Sequence, residues 1–167
     1  MRTSIACLEN VVSSAERRGI LTGESRIMPR ICDLTHVLAA TRGKVELMLS
    51  EDGQGAEDRL IEALVGEAVK EEFEKLSPVE RYEPIVEQFE QGLTLSVGDD
   101  VSAAQQVASM KHVRGLVQAA RELCGKLKLD ADDEQVLAGV GELILEALFV
   151  NNRLSKHTGS AGVKYGR

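Results

Sequence analysis

The residues with the most chemical potential lie in one stretch, Cys32 to Leu47, where a polar and basic turn interrupts a series of amphipathic helices. Within it, Thr41-Arg42-Gly43-Lys44 places a glycine before a lysine, as a phosphate-binding loop does. Such a loop also needs a serine or threonine after the lysine to hold magnesium. Val45 stands there instead, and Gly125-Lys126 is followed by Leu127. Neither dipeptide therefore predicts a nucleotide-binding loop.

Helix capping explains the same stretch. The side-chain oxygens of Asp33 or Thr35 can accept the unpaired amide protons of a first helical turn, and the helix then extends through Ala40. The turn Arg42-Gly43-Lys44 ends this helix, because its glycine can adopt the left-handed conformation and its two cations lie near the negative end of the helix dipole. A structural cap and a contact site at this turn both remain open.

The other residue types used in catalysis are scattered. Three histidines lie far apart and have no partner at a recurrent metal-ligand spacing: His36, His112 and His157. Three cysteines have no Cys-x-x-Cys pair and no adjacent base: Cys7, Cys32 and Cys124. This pattern is typical of reduced core cysteines. The glutamates lie on acidic helices, and no apolar pocket is indicated that would raise a pKa for acid catalysis. We therefore predict no metal site and no catalysis by this chain alone.

The composition limits the class of protein. A chain of 167 residues can bury a sizeable core. Its residues are 43% hydrophobic but only 3% aromatic, which suits packed helices. The net charge of -7 argues against a nucleic-acid partner. No apolar run approaches the roughly 20 residues that span a bilayer, and no signal-peptide pattern follows Met1. We expect a cytoplasmic protein with no membrane partner.

Apolar residues at helical spacing predict two long helices in the first half of the chain. Thr3 or Ser4 is expected to cap one of them, which runs to about Arg18, where Gly19 stops it. The other covers Ala56 to Leu76. Between them, the short apolar run Val45 to Leu49 fits either a strand or a helical turn, and we favour the turn.

Capping and turn signals divide the middle of the chain. Ser77-Pro78-Val79-Glu80 has the pattern of a capping box, with proline at the first helical position. Pro84 restarts a helix that ends at Gly92. Leu93 to Val97 alternates apolar and hydroxyl residues, which predicts an extended segment.

Three further helices are predicted in the second half. The first begins near Asp100 or Ser102, and the second ends at Gly125. Asp130 is expected to cap the third, which continues to about Leu154. From residue 158 the chain has little apolar material to bury, so we expect a disordered tail over 158–167. These elements predict an all-α protein, an irregular multi-helix bundle.

Motifs in a particular order carry a resemblance to a known family. They are a Glu-rich helix from Ala56 and the segments Arg2-Thr3-Ser4-Ile5-Ala6, Ile31-Cys32-Asp33-Leu34, Thr41-Arg42-Gly43-Lys44-Val45-Glu46, Phe89-Glu90-Gln91-Gly92 and Asn151-Asn152-Arg153-Leu154. In this order they resemble the C-terminal region of AAA+ ATPases of the magnesium-chelatase ATPase-subunit and MoxR-like group. The resemblance implies a helical lid over residues 1–92 and a helical C-terminal extension over 93–157 packed on it.

The resemblance also implies site residues and partners. In such ATPases an arginine at the start of a lid helix, called sensor 2, contacts the γ-phosphate of ATP, and Arg2 matches that position. A guanidinium suits this role because it stays charged and binds phosphate oxygens in a fork. The turn Arg42, Gly43 and Lys44 would face the ATPase core or a neighbouring subunit. The resemblance implies ATP and magnesium as cofactors of the parent ATPase, with none held by the isolated chain.

Three functions follow as expectations. The leading one is a helical lid fragment that couples nucleotide state to oligomerisation and to partner remodelling. Its implied partners are the AAA+ core domain, sister subunits and proteins with von Willebrand A domains. The alternative is a free-standing acidic helical adaptor that binds a protein. A third, a small helical enzyme using a carboxylate or a cysteine, would need a concave pocket with a perturbed group.

Overall fold

The computed structural model describes residues 2–41, 55–159 and 162–167. These residues form seven α-helices, which are α1 (Arg2–Thr22), α2 (Val37–Thr41), α3 (Ala56–Leu76), α4 (Glu83–Glu90), α5 (Ala103–Met110), α6 (Leu116–Leu127) and α7 (Glu134–Val150). Two 3-10 helices cover Ile31–His36 and Val79–Tyr82, and three strands are β1 (Leu95–Val97), β2 (Ser155–Gly159) and β3 (Gly162–Gly166). The protein is therefore mostly helical, as predicted, with a small sheet added.

Helix α7 is the centre of the fold. Its mostly apolar sequence lets it bury nearly all of its faces, and it packs against α3, α5, α6 and the 3-10 helix Ile31–His36. The main core includes Ile144, Leu145 and Leu148 of α7, together with Met110 and Leu116 from the helices beside it. Because α7 touches so many elements, any polar side chain on it must find its partners inside the protein.

The chain after α7 forms a hairpin that completes the sheet. Strand β3 lies between β1 and β2 and is antiparallel to both. The predicted disorder of 158–167 is wrong for the described residues of this segment, because β3 buries Val163 and Tyr165 in the core. Gly162 is required there, since a Cβ at this position would lie 2.5 Å from the carbonyl oxygen of Val97. The predicted extended segment over 93–97 is confirmed by β1.

Several helix ends differ from the sequence predictions. Helix α1 already includes Arg2, so the cap predicted at Thr3 or Ser4 is wrong. The helix passes through Gly19 and ends at Thr22, followed by Gly23 with a φ of +71°. Helix α7 is capped by Asp133, whose side chain accepts the amide of Gln135, whereas Asp130 was expected. It also ends at Val150, short of the predicted position. Local capping signals had several candidates within a few residues, and packing selected among them.

Other local predictions had mixed outcomes. Helix α3 has the predicted bounds, and Ser102 caps α5 in a capping box with Gln105. The capping box predicted at Ser77 does not form, because a 3-10 helix follows and the Ser77 hydroxyl is buried without a hydrogen bond from the described residues. Helix α6 continues past Gly125 to Leu127. In the part of the chain that the structure describes, no helix combines the length and the hydropathy needed to cross a bilayer.

Candidate functional site

The residues that the sequence singled out lie mostly beyond the described part of the structure. Arg2 is the first residue of α1, but its side chain is not among the described atoms. Arg42, Gly43 and Lys44 lie outside the described residues. The cap predicted at Asp33 or Thr35 is wrong, because the 3-10 helix begins directly after Arg30 and Asp33 is its third residue, whose side chain accepts the Arg30 amide at 2.8 Å. The hydroxyl of Thr35 donates to the Cys32 carbonyl at 2.9 Å.

Asp33 belongs to a buried group of charges that the sequence did not reveal. Four side chains from four places in the fold form this charge cluster: Arg18 of α1, Arg30 of the loop after it, Asp33 of the 3-10 helix and Glu142 of α7. Their exposures lie between 0% and 3%. Charged side chains are almost never this buried unless they are paired. The pairing of each member therefore decides what the cluster can do.

The Asp33 carboxylate has a full set of short contacts. It accepts hydrogen bonds from Ser14 Oγ at 3.0 Å, from Arg18 Nη2 at 3.0 Å and from the Arg30 amide at 2.8 Å. Arg18 also donates to the Met28 carbonyl at 2.7 Å. Burial lowers the pKa of Arg18, but the hydrogen bond and charge of Asp33 outweigh it, so the pKa is raised overall. This half of the cluster locks α1 onto the 3-10 helix.

The Glu142 carboxylate has fewer hydrogen-bond donors than Asp33, and its contacts are longer. Its Oε1 lies 3.3 Å from Arg30 Nε and forms no hydrogen bond with any described residue. Its Oε2 accepts only a long contact of 3.5 Å from the Cys32 amide. Burial raises the pKa of Glu142 to about 7, and the charge of Arg30 offsets that effect only in part. The expectation that no glutamate has a raised pKa is therefore wrong at Glu142.

Arg30 connects Glu142 to a third part of the fold. Its Nη2 donates to the carbonyl oxygens of Gly98 at 2.8 Å and Val101 at 2.9 Å, in the turn after β1. Both hydrogen bonds come from the same guanidinium nitrogen, Nη2. The Nε that faces Glu142 forms no hydrogen bond with the described residues. Arg30 is thus more firmly held by the turn than by Glu142.

Cys32, which lies beside the charge cluster, is unreactive at neutral pH. Cys32 is 8% exposed and is a free thiol, as are Cys7 and Cys124. Burial, followed by the charge of Glu142, raises the pKa of Cys32 to about 12. A thiol with such a pKa stays protonated at neutral pH and is a poor nucleophile. Cys32 therefore acts as a core residue, which agrees with the prediction from its sequence surroundings.

A second buried carboxylate lies one turn along α7. Glu146 accepts hydrogen bonds from Lys156 Nζ at 2.8 and 2.9 Å and from the Tyr165 hydroxyl at 2.5 Å. Burial, followed by the charge of Glu146, raises the pKa of Tyr165. Glu146 and Lys156 line a cavity of about 670 Å³ together with Leu34 and Phe149. Because the oxygens of Glu146 already have donors, this carboxylate anchors the hairpin to α7 and leaves little capacity to bind a ligand.

Helix α1 presents a contrasting surface on its other side. Ile5, Leu8 and Val12 are 53%, 65% and 41% exposed, and their spacing places them along one stripe. Further along the helix, Ile20 and Leu21 are also exposed. Of the eight large apolar side chains that the described residues expose, five lie on α1. Clustered exposed apolar side chains indicate a contact surface.

Three members of the charge cluster were not identified from the sequence, and only Glu142 stands in a sequence pattern that indicates burial. Glu142 lies within a long apolar pattern on α7, and a carboxylate at such a position must be paired or neutral. Arg18 follows another arginine at the end of an amphipathic pattern, and Arg30 follows a proline, so neither stands out. Their partners are too distant in sequence to be identified from spacing.

Comparisons with known proteins complete the description of the site. Among the described residues, no group of three or more His, Cys, Asp or Glu side chains is arranged to hold a metal ion. Searches against protein-family models, curated proteins and solved structures found no match to this chain.

Proposed function

We propose that this chain is the helical C-terminal part of a magnesium-chelatase-like AAA+ ATPase, which couples nucleotide state to oligomerisation and to partner remodelling. The observation that carries the proposal is the two-sided character of α1. One side is locked into the charge cluster through Arg18, and the other exposes Ile5, Leu8 and Val12. A helix that rests on its own domain while offering an apolar stripe suits a contact with a separate nucleotide-binding core.

Sequence order adds support. Arg2, the sensor 2 candidate, is the first residue of the same helix. In this proposal the core docks on the apolar stripe, and Arg2 then reaches the γ-phosphate of ATP held by the core. Rigid attachment of α1 through Arg18 and Asp33 at 3.0 Å lets movement of the core be passed to the rest of the chain.

The first test is whether a nucleotide-binding core is encoded in frame immediately upstream of Met1. A phosphate-loop domain there supports the proposal, whereas an intact stop codon with a separate promoter contradicts it. With the core attached, Arg2→Ala should lower ATP turnover at saturating ATP. Arg17→Ala is the matched control, because Arg17 is an exposed arginine of the same helix that pairs with Asp99. Equal turnover in both variants would remove the sensor role.

The second test concerns the apolar stripe. The double variant Ile5→Lys with Leu8→Lys should weaken binding of the chain to the separately expressed core, measured by calorimetry, because it places charge in an apolar contact. Leu129→Lys is the control, since Leu129 is 38% exposed and lies outside α1. A free-standing adaptor would instead leave core binding absent in the wild type while capturing another protein at physiological salt.

A further inference from the structure

The half of the charge cluster around Glu142 has a property that the proposed function does not use. The side chains of Glu142 and Arg30 have no exposed surface, yet their closest atoms are 3.3 Å apart. Charge-assisted hydrogen bonds are ordinarily about 2.7–2.9 Å long. The other contact of Glu142, from the Cys32 amide, is 3.5 Å. A charged carboxylate at this place therefore lacks the short hydrogen-bond donors that would compensate its burial.

We propose that Glu142 is a proton-binding site that controls how readily the 3-10 helix Ile31–His36 separates from α7. When Glu142 is protonated, the junction between the 3-10 helix and α7 is closed and the carboxyl group itself carries no charge. When Glu142 releases its proton to the solvent, the buried charge favours any arrangement that lets water reach it. Separation of the 3-10 helix provides such an arrangement, because the groups that contact Glu142 are the Cys32 amide of that helix and the side chain of Arg30, the residue directly before it.

The other charges around Glu142 do not replace the missing donors. The groups that act on it electrostatically are Arg30 and Arg18, which favour the charged form, and Asp33, which opposes it. Burial of the carboxyl group is the largest influence and raises its pKa to about 7. From β3, Tyr165 faces the same region but donates its hydroxyl proton to Glu146.

The helices packed on α7 supply no further compensating charge within the described residues. Helix α5 has no ionisable side chain. The charged side chains of α6 make contacts elsewhere, Arg121 with Asp132, Glu122 with Arg81 and Lys126 with the Leu76 carbonyl. On α3, Arg59 is exposed and Lys75 pairs with Glu72. Neither of these nor Lys70 is among the charges that act on Glu142. The balance at Glu142 thus depends on Arg30 and on the proton.

The direction of the pH effect follows from the two states. In the open state Glu142 is hydrated and has an ordinary pKa of 4.5, whereas in the closed state its pKa is about 7. The closed state therefore keeps its proton over a pH range in which the open state has lost it. Opening becomes easier as the pH rises from 4.5 to about 7 and changes little above that.

The test is native-state hydrogen exchange of the amides of the 3-10 helix Ile31–His36 and of the adjoining turns of α7. Measurements at steps from about pH 4 to about pH 8 are corrected for the intrinsic pH dependence of exchange. In the wild type, the opening equilibrium constant should rise by about tenfold or more between about pH 5.5 and about pH 7.5. In Glu142→Gln it should stay constant, while Glu134→Gln, which changes an exposed carboxylate of the same helix, should behave as the wild type.

A second measurement on the wild type needs no variant. Carbon-13 NMR of the glutamate carboxyl groups should show one resonance that titrates near pH 7, and its midpoint should coincide with the pH at which the opening free energy stops changing. Should Glu142→Gln fail to fold, this coincidence still decides the question. Titration of every glutamate near 4.5, an opening free energy that levels off at a pH different from the NMR midpoint, or the same pH response in Glu142→Gln would overturn the proposal. Because the readouts are those of the isolated chain, they are independent of the ATPase assignment.

Discussion

Asp33 and Glu142 are two carboxylates of one buried cluster, and they differ in their hydrogen-bond donors. Asp33 has three donors at 3.0 Å or less, from a hydroxyl, a guanidinium and a backbone amide. Glu142 has the same degree of burial but only contacts of 3.3 and 3.5 Å. Burial destabilises a charged carboxylate at both places, and short hydrogen bonds offset this effect only at Asp33. The comparison shows that the arrangement of donors, more than burial, separates a structural ion pair from a titrating group.

The same chemical change at the two sites should therefore have different consequences. Asp33→Asn keeps the shape but removes the charge that faces Arg18, whose side chain has no exposed surface. An uncompensated buried guanidinium should lower the free energy of unfolding by about 3–5 kcal/mol, measured by urea denaturation. The control Asp99→Asn breaks an exposed pair with Arg17 and should cost less than about 1 kcal/mol. Equal losses would mean that burial of the Arg18 pair is unimportant.

Glu142→Gln should act mainly through pH. Below pH 4.5 the folded and unfolded chains both hold the proton at Glu142, so its charge makes no difference there. Between 4.5 and about 7 the unfolded chain loses the proton first, and the free energy of unfolding falls as the pH rises. The contribution of Glu142 reaches at most about 3 kcal/mol.

Thermal unfolding of the wild type and of Glu142→Gln across this pH range checks the prediction. The difference between the two proteins should shift in favour of the variant as the pH rises, and other carboxylates cancel in that difference. A difference that is constant with pH would place Glu142 in the same class as Asp33.

Glu146 is a third buried carboxylate, and its hydrogen-bond donors can be compared with those of Asp33 and Glu142. It resembles Asp33, because Lys156 and Tyr165 supply it with short donors. Tyr165→Phe removes one donor and should lower the free energy of unfolding by about 1–2 kcal/mol, measured by urea denaturation. Tyr82→Phe is the matched control, since Tyr82 is 3% exposed and has no carboxylate partner among the described residues. A loss of the same size in Tyr82→Phe would show that the hydroxyl of Tyr165 is not special.

Local elements were predictable where the signal is local. Helix α3 has the predicted bounds, since its apolar stripe is long and regular. Ser102 caps α5 as one of two predicted candidates, and β1 occupies the predicted extended segment. The cap of α7 was placed at Asp130 when Asp133 forms it, because several acidic residues there satisfy the same local rule. The mostly helical class followed from composition and periodicity.

Long-range elements were not predictable from local pattern. The tail looked disordered because its few apolar residues cannot form a core by themselves, yet Val163 and Tyr165 fill space that other elements leave open. The assignment of residues 1–92 and 93–157 to a lid and an extension stays a prediction. So do the roles of Arg2 and of the turn Arg42, Gly43 and Lys44.

The sequence by itself determined most of the helices, the Ser102 cap of α5 and the segment that became β1, because those depend on residues within a few positions of one another. Only the tertiary structure decided which charges are buried and how each is paired. Cys32 and Glu142 are 110 residues apart in the chain, and no periodicity spans such a distance. The ionisation of Glu142 therefore depends on the packing of α7 against the 3-10 helix, which places a carboxylate beside an arginine already bound by two carbonyl groups.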